Sequence, residues 1–512
     1  MNKNSKQNNK RIVKNTLALY FRQIIIMCVA LFTYRIVLQA LGVTDYGINN
    51  VVGGVVAMFS FVSTTLMGIT QRFVNVEMEK GTTETLQNIF STSLIIHILI
   101  GVIIIIIGET FGLWFVRNKL VIPEERMSAA FWVYQLALFG FFISMFESPF
   151  VALVVAHEDI HIYGYVGVFD VIMRLVIAYL LLKLNGDKLI LYTSFLFFVS
   201  FIVTLFYYIY CRKKYHESKF IFIYDFKIIK DLTNYGGYVF FNSILDLFRM
   251  QGVNILLNMF FGPVINAARG LAYSVDNALL SFGANFRQAL APALTKSYAR
   301  SDNEYTFNLL ERGIRITYLL FLIFTIPILL KSEFILELWL KEVPDFTVIF
   351  TKLIVISVFL EGINRTFIII INASGKLKSY YIIDYLYSIL IFLFSYIICK
   401  LGYQPQYILF IPIPLFLLSI PPRFIIIKNL LNISIKFLLK KAIMPVFIVF
   451  IISYIPFYYL NKIISDSIIL SFILIICNII WTCLTIFLIG LKNNEKLVLL
   501  DFVKSFFSKY KL

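Results

Sequence analysis

Apolar stretches, most of them about twenty residues long and separated by polar turns and loops, follow one another from residue 17 to residue 489. A helix of that length matches the hydrocarbon of a bilayer, about 30 Å thick at 1.5 Å per residue. Within hydrocarbon a helix also satisfies its own backbone N–H and C=O groups. Reading the chain in windows of about that size predicts fourteen spans: 17–41, 47–69, 86–107, 127–156, 160–182, 189–211, 235–260, 266–286, 314–330, 346–371, 380–399, 407–420, 442–460 and 464–489. The third, eighth and twelfth are short or are interrupted by polar residues or proline. Composition agrees, since 60% of the 512 residues are hydrophobic and 15% are charged, where a water-soluble domain carries about a quarter. The expected fold is an all-α integral membrane protein.

The net charge of +17 does not point to nucleic acid. Its lysines and arginines gather between the apolar runs, which describes loops at an anionic membrane surface. With the N-terminus inside, the inner segments hold roughly 30 Lys and Arg and the outer ones roughly 9, so both termini are expected in the cytoplasm. The strongest inner anchors are the tail 3–14, the loops 212–230 and 423–441, and the C-terminal tail. Stretch 17–41 is long enough to span and reads as a retained first helix, not a cleaved leader. The five cysteines lie inside apolar segments without zinc or disulfide spacing and read as small buried hydrophobes.

Laid on itself at an offset of 220 residues, the chain shows an internal repeat. Leu41-Gly42 falls on Phe261-Gly262, Glu84 on Glu304 and Asn88 on Asn308. Six spans separate the copies, an even number that preserves orientation, so the expected architecture is two parallel six-helix bundles around a central cavity. The division is 1–230 for the first bundle, 231–440 for the second, and 441–512 for two additional helices and a basic cytoplasmic tail.

A charge at the centre of a membrane helix costs about 2.5–3.5 kcal/mol on insertion scales, so each one retained needs a partner or a function. The pairs Asp170/Arg174 and Glu361/Arg365 are spaced i,i+4 and can neutralise themselves along one helix face. Arg22 lies near the inner end of the first helix and can reach the headgroups, while Arg35, thirteen residues on, points to about the opposite face. In the seventh span Asn242, Asp246 and Arg249 recur at i, i+4 and i+7, one polar stripe on an otherwise apolar helix that suits a cavity wall, with packing against a partner helix as the alternative. Asn254 and Asn258 extend that polarity, and the eighth span adds Arg269 and Asp276.

Other chemical signals are weak. His157-Glu158-Asp159-Ile160-His161 matches HExxH, yet it occupies a tight loop and has no clear third ligand, so it reads as a polar turn. Gly375-Lys376 lacks the glycine that a phosphate-binding loop requires. No hydrophilic segment is large enough for a soluble catalytic domain, so neither enzyme activity, cofactor nor metal is expected.

The basic tail, the first helix, Leu41-Gly42-Val43-Thr44-Asp45-Tyr46-Gly47-Ile48 and Arg72-Phe73 resemble the polysaccharide (O-antigen) flippases of the multidrug/oligosaccharidyl-lipid/polysaccharide exporter superfamily. The resemblance implies two bundles forming a V-shaped cavity, alternating access, and location in a bacterial cytoplasmic membrane. It implies as substrate undecaprenyl pyrophosphate bearing a sugar repeat unit, for O-antigen, capsule or exopolysaccharide. Membrane lipids, a polysaccharide polymerase and glycosyltransferases are the implied partners. Arg22, Arg35, Arg249 and Arg269 are the positions available for the pyrophosphate, because guanidinium forks bind such an anion through paired charge-assisted hydrogen bonds. Asp246 or Asp276 would couple transport to a cation. The alternatives are an ion-coupled multidrug exporter and a lipid-linked peptidoglycan precursor flippase of the same superfamily.

Overall fold

The computed structural model describes residues 3–221 and 248–497, apart from 81, 158, 301, 375, 376, 433, 464–466 and 494. Every regular element among them is helical. The principal helices are α1 (Lys3–Ala57), α2 (Ser60–Lys80), α3 (Thr83–Ile107), α4 (Met127–Ala156), α5 (Ile160–Lys183), α6 (Lys188–Lys214), α7 (Val253–Phe261), α8 (Pro263–Ala299), α9 (Asn303–Leu340), α10 (Thr347–Ser374), α11 (Leu377–Lys400), α12 (Pro412–Leu431), α13 (Met444–Ile463) and α14 (Ile468–Thr485). The chain forms two compact units. Unit 1 is Met1–Leu271 with Pro344–Phe346 and Ser388–Ile408, and unit 2 is Ala272–Val343, Thr347–Tyr387 and Leu409–Leu512.

Ten helical stretches among the described residues are long and apolar enough to cross a bilayer, eleven if the bent pair Val29–Ala57 and Ser60–Asn75 is one span. Among the described residues that measure gives fewer than the fourteen predicted, and the first half of span 235–260 lies outside them. α7 is too short within the described residues, and α8 carries Arg269, Asp276, Arg287 and Lys296 along its 37 residues. At about 1.5 Å per residue α8 is still about 55 Å long, which exceeds a bilayer's hydrocarbon. A helix that long and that polar needs a face away from lipid.

The repeat has a structural counterpart at the predicted offset. α1 is interrupted at Gly42 (φ 77°, ψ 169°), and 220 residues later Gly262 (φ 81°, ψ −178°) separates α7 from α8. Both positions require the positive φ that glycine adopts without a steric penalty. Thr82 caps α3 by accepting from the Thr85 N–H at 3.3 Å, and Asp302, again 220 residues on, caps α9 by accepting from the Tyr305 N–H at 3.0 Å. Glu84 and Glu304 follow in the first turns, where an acidic side chain meets the positive helix end.

In unit 1 the helices alternate in direction. Arg126 bridges Asp45 (2.6 Å) and Asp187 (2.7 Å), gathering three turns at one end. At the other end Lys214 holds Asp159 at 2.5 Å, and Gln87 donates to the Lys219 carbonyl at 2.6 Å. Two apolar clusters fill the interior, one around Val52, Tyr134, Leu138 and Met145 and one around Phe90, Phe150, Leu153 and Tyr207. The outer surface is no less apolar, with Ile103, Ile106, Phe198 and Phe201 exposed, as a hydrocarbon solvent permits.

Gly47 and Gly270 permit close backbone approach inside unit 1. A methyl group on Gly47 would overlap the Pro263 carbonyl oxygen, and one on Gly270 would overlap the Asn50 amide, whereas one on Gly53 would meet nothing within 4 Å. Gly47→Ala is therefore expected to lower stability by about 1–3 kcal/mol, as overpacking does. Gly53→Ala should leave stability unchanged or slightly raise it. Thermal midpoints of the two purified variants check this, and equal midpoints would refute it.

In unit 2, α9 bends where Pro327 removes a helical donor, and Lys331 leaves helical geometry (φ −129°, ψ 38°). Near its start, the buried Arg315 pairs with Glu311 at 2.9 Å and Glu495 at 2.8 Å and donates to the Gly490 carbonyl at 2.6 Å. Lys492 completes the network on Glu311. These contacts fasten the end of the chain's last described helix to α9.

Candidate functional site

Of the residues predicted to bind substrate, Arg35 is half-buried on α1, while Arg269 and Asp276 are buried on α8. The Arg269 guanidinium donates to the Met250 carbonyl at 2.7 Å, within the π-helical turn Phe248–Gly252, whose wider winding frees backbone acceptors. Asn242 and Asp246 lie outside the described residues, as do the side chains of Arg22 and Arg249. The asparagines that extend the seventh span's polarity serve packing. Asn258 Oδ1 accepts from the Val121 N–H at 2.8 Å, and the Asn254 side chain accepts from the Asn266 amide at 2.9 Å.

A polar layer crosses unit 1 where α4, α5 and α6 meet. Asp170 and Arg174 form the predicted pair at 2.9 Å. Beside them, Glu147 Oε2 accepts from the Thr204 hydroxyl at 2.6 Å, and Ser148 meets Ser63 of α2 at 2.5 Å. Sequence reading passed over Glu147, although it is a carboxylate inside an apolar span and the rule that singled out Asp170 covers it equally.

Unit 2 holds two further arrangements, of which the sequence reading had only the Glu361/Arg365 pair. Arg423, predicted to begin an inner loop, lies instead within α12, because that helix continues through Pro421 and Pro422. It is buried, pairs with Asp384 at 2.7 Å, donates to Asn364 and Ser419, and lies over the Tyr380 ring. Neighbouring helices thus supply the partners that let an arginine and two prolines persist in a membrane helix. The second arrangement is an excess of positive charge. Arg287 of α8 is half-buried, its Nη1 is buried without a hydrogen-bond partner among the described residues, and the charge acting on it is the Arg365 guanidinium. Arg365 meets the carboxylate of Glu361 at only 3.7 Å, while Glu361 also accepts from the Tyr387 hydroxyl at 2.9 Å. Like charges repel unless an anion offsets them, and of the two arginines Glu361 serves Arg365 alone among the contacts described. A separate cavity of about 910 Å³ is walled by α9, α10, α12 and α13, apolar along Phe359, Leu417 and Phe450, with Lys352 in its lining.

The HExxH segment is a surface tie. His157 bonds Glu217 at 2.5 Å and stacks on Tyr215 at 4.1 Å, whereas His161 lies on α5 against Tyr165. Helix α5 begins only at Ile160, so the two histidines do not share a helical turn. Among the described residues no cluster of three metal-ligating side chains occurs. Hydrogen bonds from Lys214 and then Tyr215 hold the Asp159 carboxyl down to about 2, and the bond to His157 holds the Glu217 carboxyl below its ordinary value. A carboxyl depressed on folding stabilises the protein above its unfolded pKa, near 3.9, and that contribution is lost as pH falls through the folded value. Asp159→Asn is thus expected to be less stable than the intact protein at neutral pH, with the gap closing near pH 2. Thermal midpoints measured across acid pH decide this, and a gap independent of pH would contradict it.

Comparison with protein families gives no match, and no curated protein matches the sequence. Solved structures do match by fold. The "Lipid II flippase MurJ, inward closed conformation" superposes with a TM-score of 0.69 at 14% identity, covering 92% of this chain and 98% of that one. An inward-facing multidrug resistance MATE family transporter of the MOP superfamily gives 0.65 at 15% identity, covering 81% and 99%. A MOP superfamily transporter from Pyrococcus furiosus gives 0.56 at 16% identity, covering 82% and 96%. The chain is thus a multi-helix membrane protein with the fold of the MOP superfamily transporters.

Proposed function

We propose that this protein translocates undecaprenyl-pyrophosphate-linked oligosaccharide across the bacterial cytoplasmic membrane by alternating access, with both termini cytoplasmic. The observation that carries this reading is the Arg287–Arg365 pair. Arg287 is half-buried with no counter-charge among the described residues, which is costly in a membrane protein, and a diphosphate engaging guanidinium forks relieves that cost in the bound state. Arg22, Arg35, Arg249 and Arg269 are the further contacts in this reading, with Asn242, Asp246 and Asp276 lining the same path. The polar helix α8 supplies the hydrated wall that a sugar head group requires, and the prenyl tail stays in lipid or against apolar helix faces. Bundles 1–230 and 231–440 rock against each other, with 441–512 as an accessory pair and tail.

A second reading keeps the chemistry and changes the sugar. A lipid-linked peptidoglycan precursor presents the same kind of prenyl diphosphate anchor, and the extent of the match to a lipid II flippase, 92% of this chain, favours it. The test is translocation in proteoliposomes of a fluorescent undecaprenyl pyrophosphate oligosaccharide, beside lipid II and a cationic drug. Movement of either lipid-linked sugar supports the diphosphate reading, and preference between them selects the substrate. Movement of the drug with neither lipid overturns it in favour of a multidrug exporter.

A further inference from the structure

We propose that Glu147 is the group through which unit 1 takes up and releases a proton during transport, an inference that rests on the transport reading above. Its depth is the first support. Glu147 stands ten residues before His157 at the end of α4, Asp170 ten residues into α5, and Thr204 ten residues before Lys214 at the end of α6. At 1.5 Å per residue all three side chains branch from one level, about 15 Å in from the end of the unit where Lys214 holds Asp159. The two apolar clusters of unit 1 lie on either side of that level, with Met145 in one and Phe150 in the other.

The second support is its set of partners. Glu147 accepts one hydrogen bond, from the neutral Thr204 hydroxyl, and no cation among the described residues pairs with it. The charge that reaches it is the Asp170 carboxylate of α5, and Arg174 is already engaged there. α6 adds the Tyr207 phenol, with Tyr163 of α5 beyond it. α1 brings Tyr34 to Arg174, α2 brings the Ser63 hydroxyl to the adjacent Ser148, and His97 on α3 is turned to the Ser93 carbonyl. In that setting the uncharged acid fits the packing and the carboxylate does not. Proton release then requires a rearrangement that admits water or a cation between α4, α5 and α6, which ties the proton to a change of conformation.

The experiment uses the full-length protein in lipid nanodiscs and follows the carboxyl C=O stretch by infrared spectroscopy during a pH titration. The intact protein is expected to show a protonated-carboxyl signal, lost as pH rises, that Glu147→Gln lacks and Asp170→Asn retains. Identical spectra for the intact protein and Glu147→Gln would overturn the proposal. Glutamine preserves the acceptor for Thr204, and Thr204→Val, which should shift the same signal, serves if the glutamine variant does not fold. In proteoliposomes an imposed pH gradient should accelerate the intact protein about fivefold or more and leave Glu147→Gln at its ungraded rate. Equal acceleration of both overturns the coupling. Absence of any lipid-linked transport by the intact protein overturns the lipid-linked substrate reading, while the infrared signal still decides whether Glu147 holds the proton.

Discussion

Replacing Arg287 with alanine is expected to slow translocation of a prenyl diphosphate oligosaccharide by about ten- to a hundredfold without destabilising the fold. The size follows from the loss of a hydrogen bond to a charged group, about 1.5–3 kcal/mol, at about 1.4 kcal/mol for each factor of ten. The sign on stability separates this arginine from a structural one. Among the described residues the buried Nη1 of Arg287 has no hydrogen-bond partner, and the Arg365 charge disfavours it, so its removal should hold or raise the thermal midpoint. Arg365→Ala should behave alike, offset by the loss of its loose contact with Glu361. Lysine at either position should restore charge and only part of the rate, because an ammonium lacks the fork that engages a phosphate bidentately. Initial rates in proteoliposomes and midpoints of the same preparations are the measurements. Transport within twofold of the intact protein would remove the pair from the substrate path.

Arg315→Met should produce the opposite pattern, a loss of about 3–5 kcal/mol in stability. Arg315 is 2% exposed, and its removal strands Glu311, itself 1% exposed, with Lys492 alone and leaves Glu495 to Arg312. The Gly490 carbonyl also loses its donor. A double variant, Arg315→Met with Glu311→Leu, should recover part of the loss, because no unpaired charge then stays buried between those two positions. Arg174→Ala provides the contrast. Its pair with Asp170 is about half exposed, at 48% and 35%, so protonation can relieve the Asp170 left behind and the loss should be smaller than for Arg315. Equal loss from Arg315→Met and Arg174→Ala would mean that burial does not set the strength of these ion pairs.

Arg287 and Arg423 show where reading by hydropathy stops. The window ended the eighth span at residue 286, one short of Arg287, because a charge at the edge of an apolar run is assigned to the neighbouring loop. It ended the twelfth at residue 420 for the same reason, with Pro421 and Pro422 reinforcing the boundary. Both helices continue, α8 to Ala299 and α12 to Leu431. What holds Arg423 inside is a carboxylate 39 positions away, Asp384, with Asn364 at 59, and no local pattern records such partners. Glu147 differs in kind. It was visible inside span 127–156, but a carboxylate inside a span is read as functional or structural according to whether a cation faces it, and its neighbours come from α5 and α6.

The all-helical membrane fold, the 127–156 span that α4 reproduces residue for residue, the Asp170–Arg174 pair and the 220-residue repeat were legible in the linear chain. Each depends on interactions within about one helix length: apolar runs matched to bilayer thickness, charges one turn apart, and glycines where the backbone takes a positive φ. The bonding of Arg315, Arg423 and Asn258, the Thr204 partner of Glu147 and the influence of Arg365 on Arg287 belong to the tertiary structure. In hydrocarbon a polar side chain takes its meaning from the partner that reaches it, and packing between helices far apart in the chain decides which partner that is.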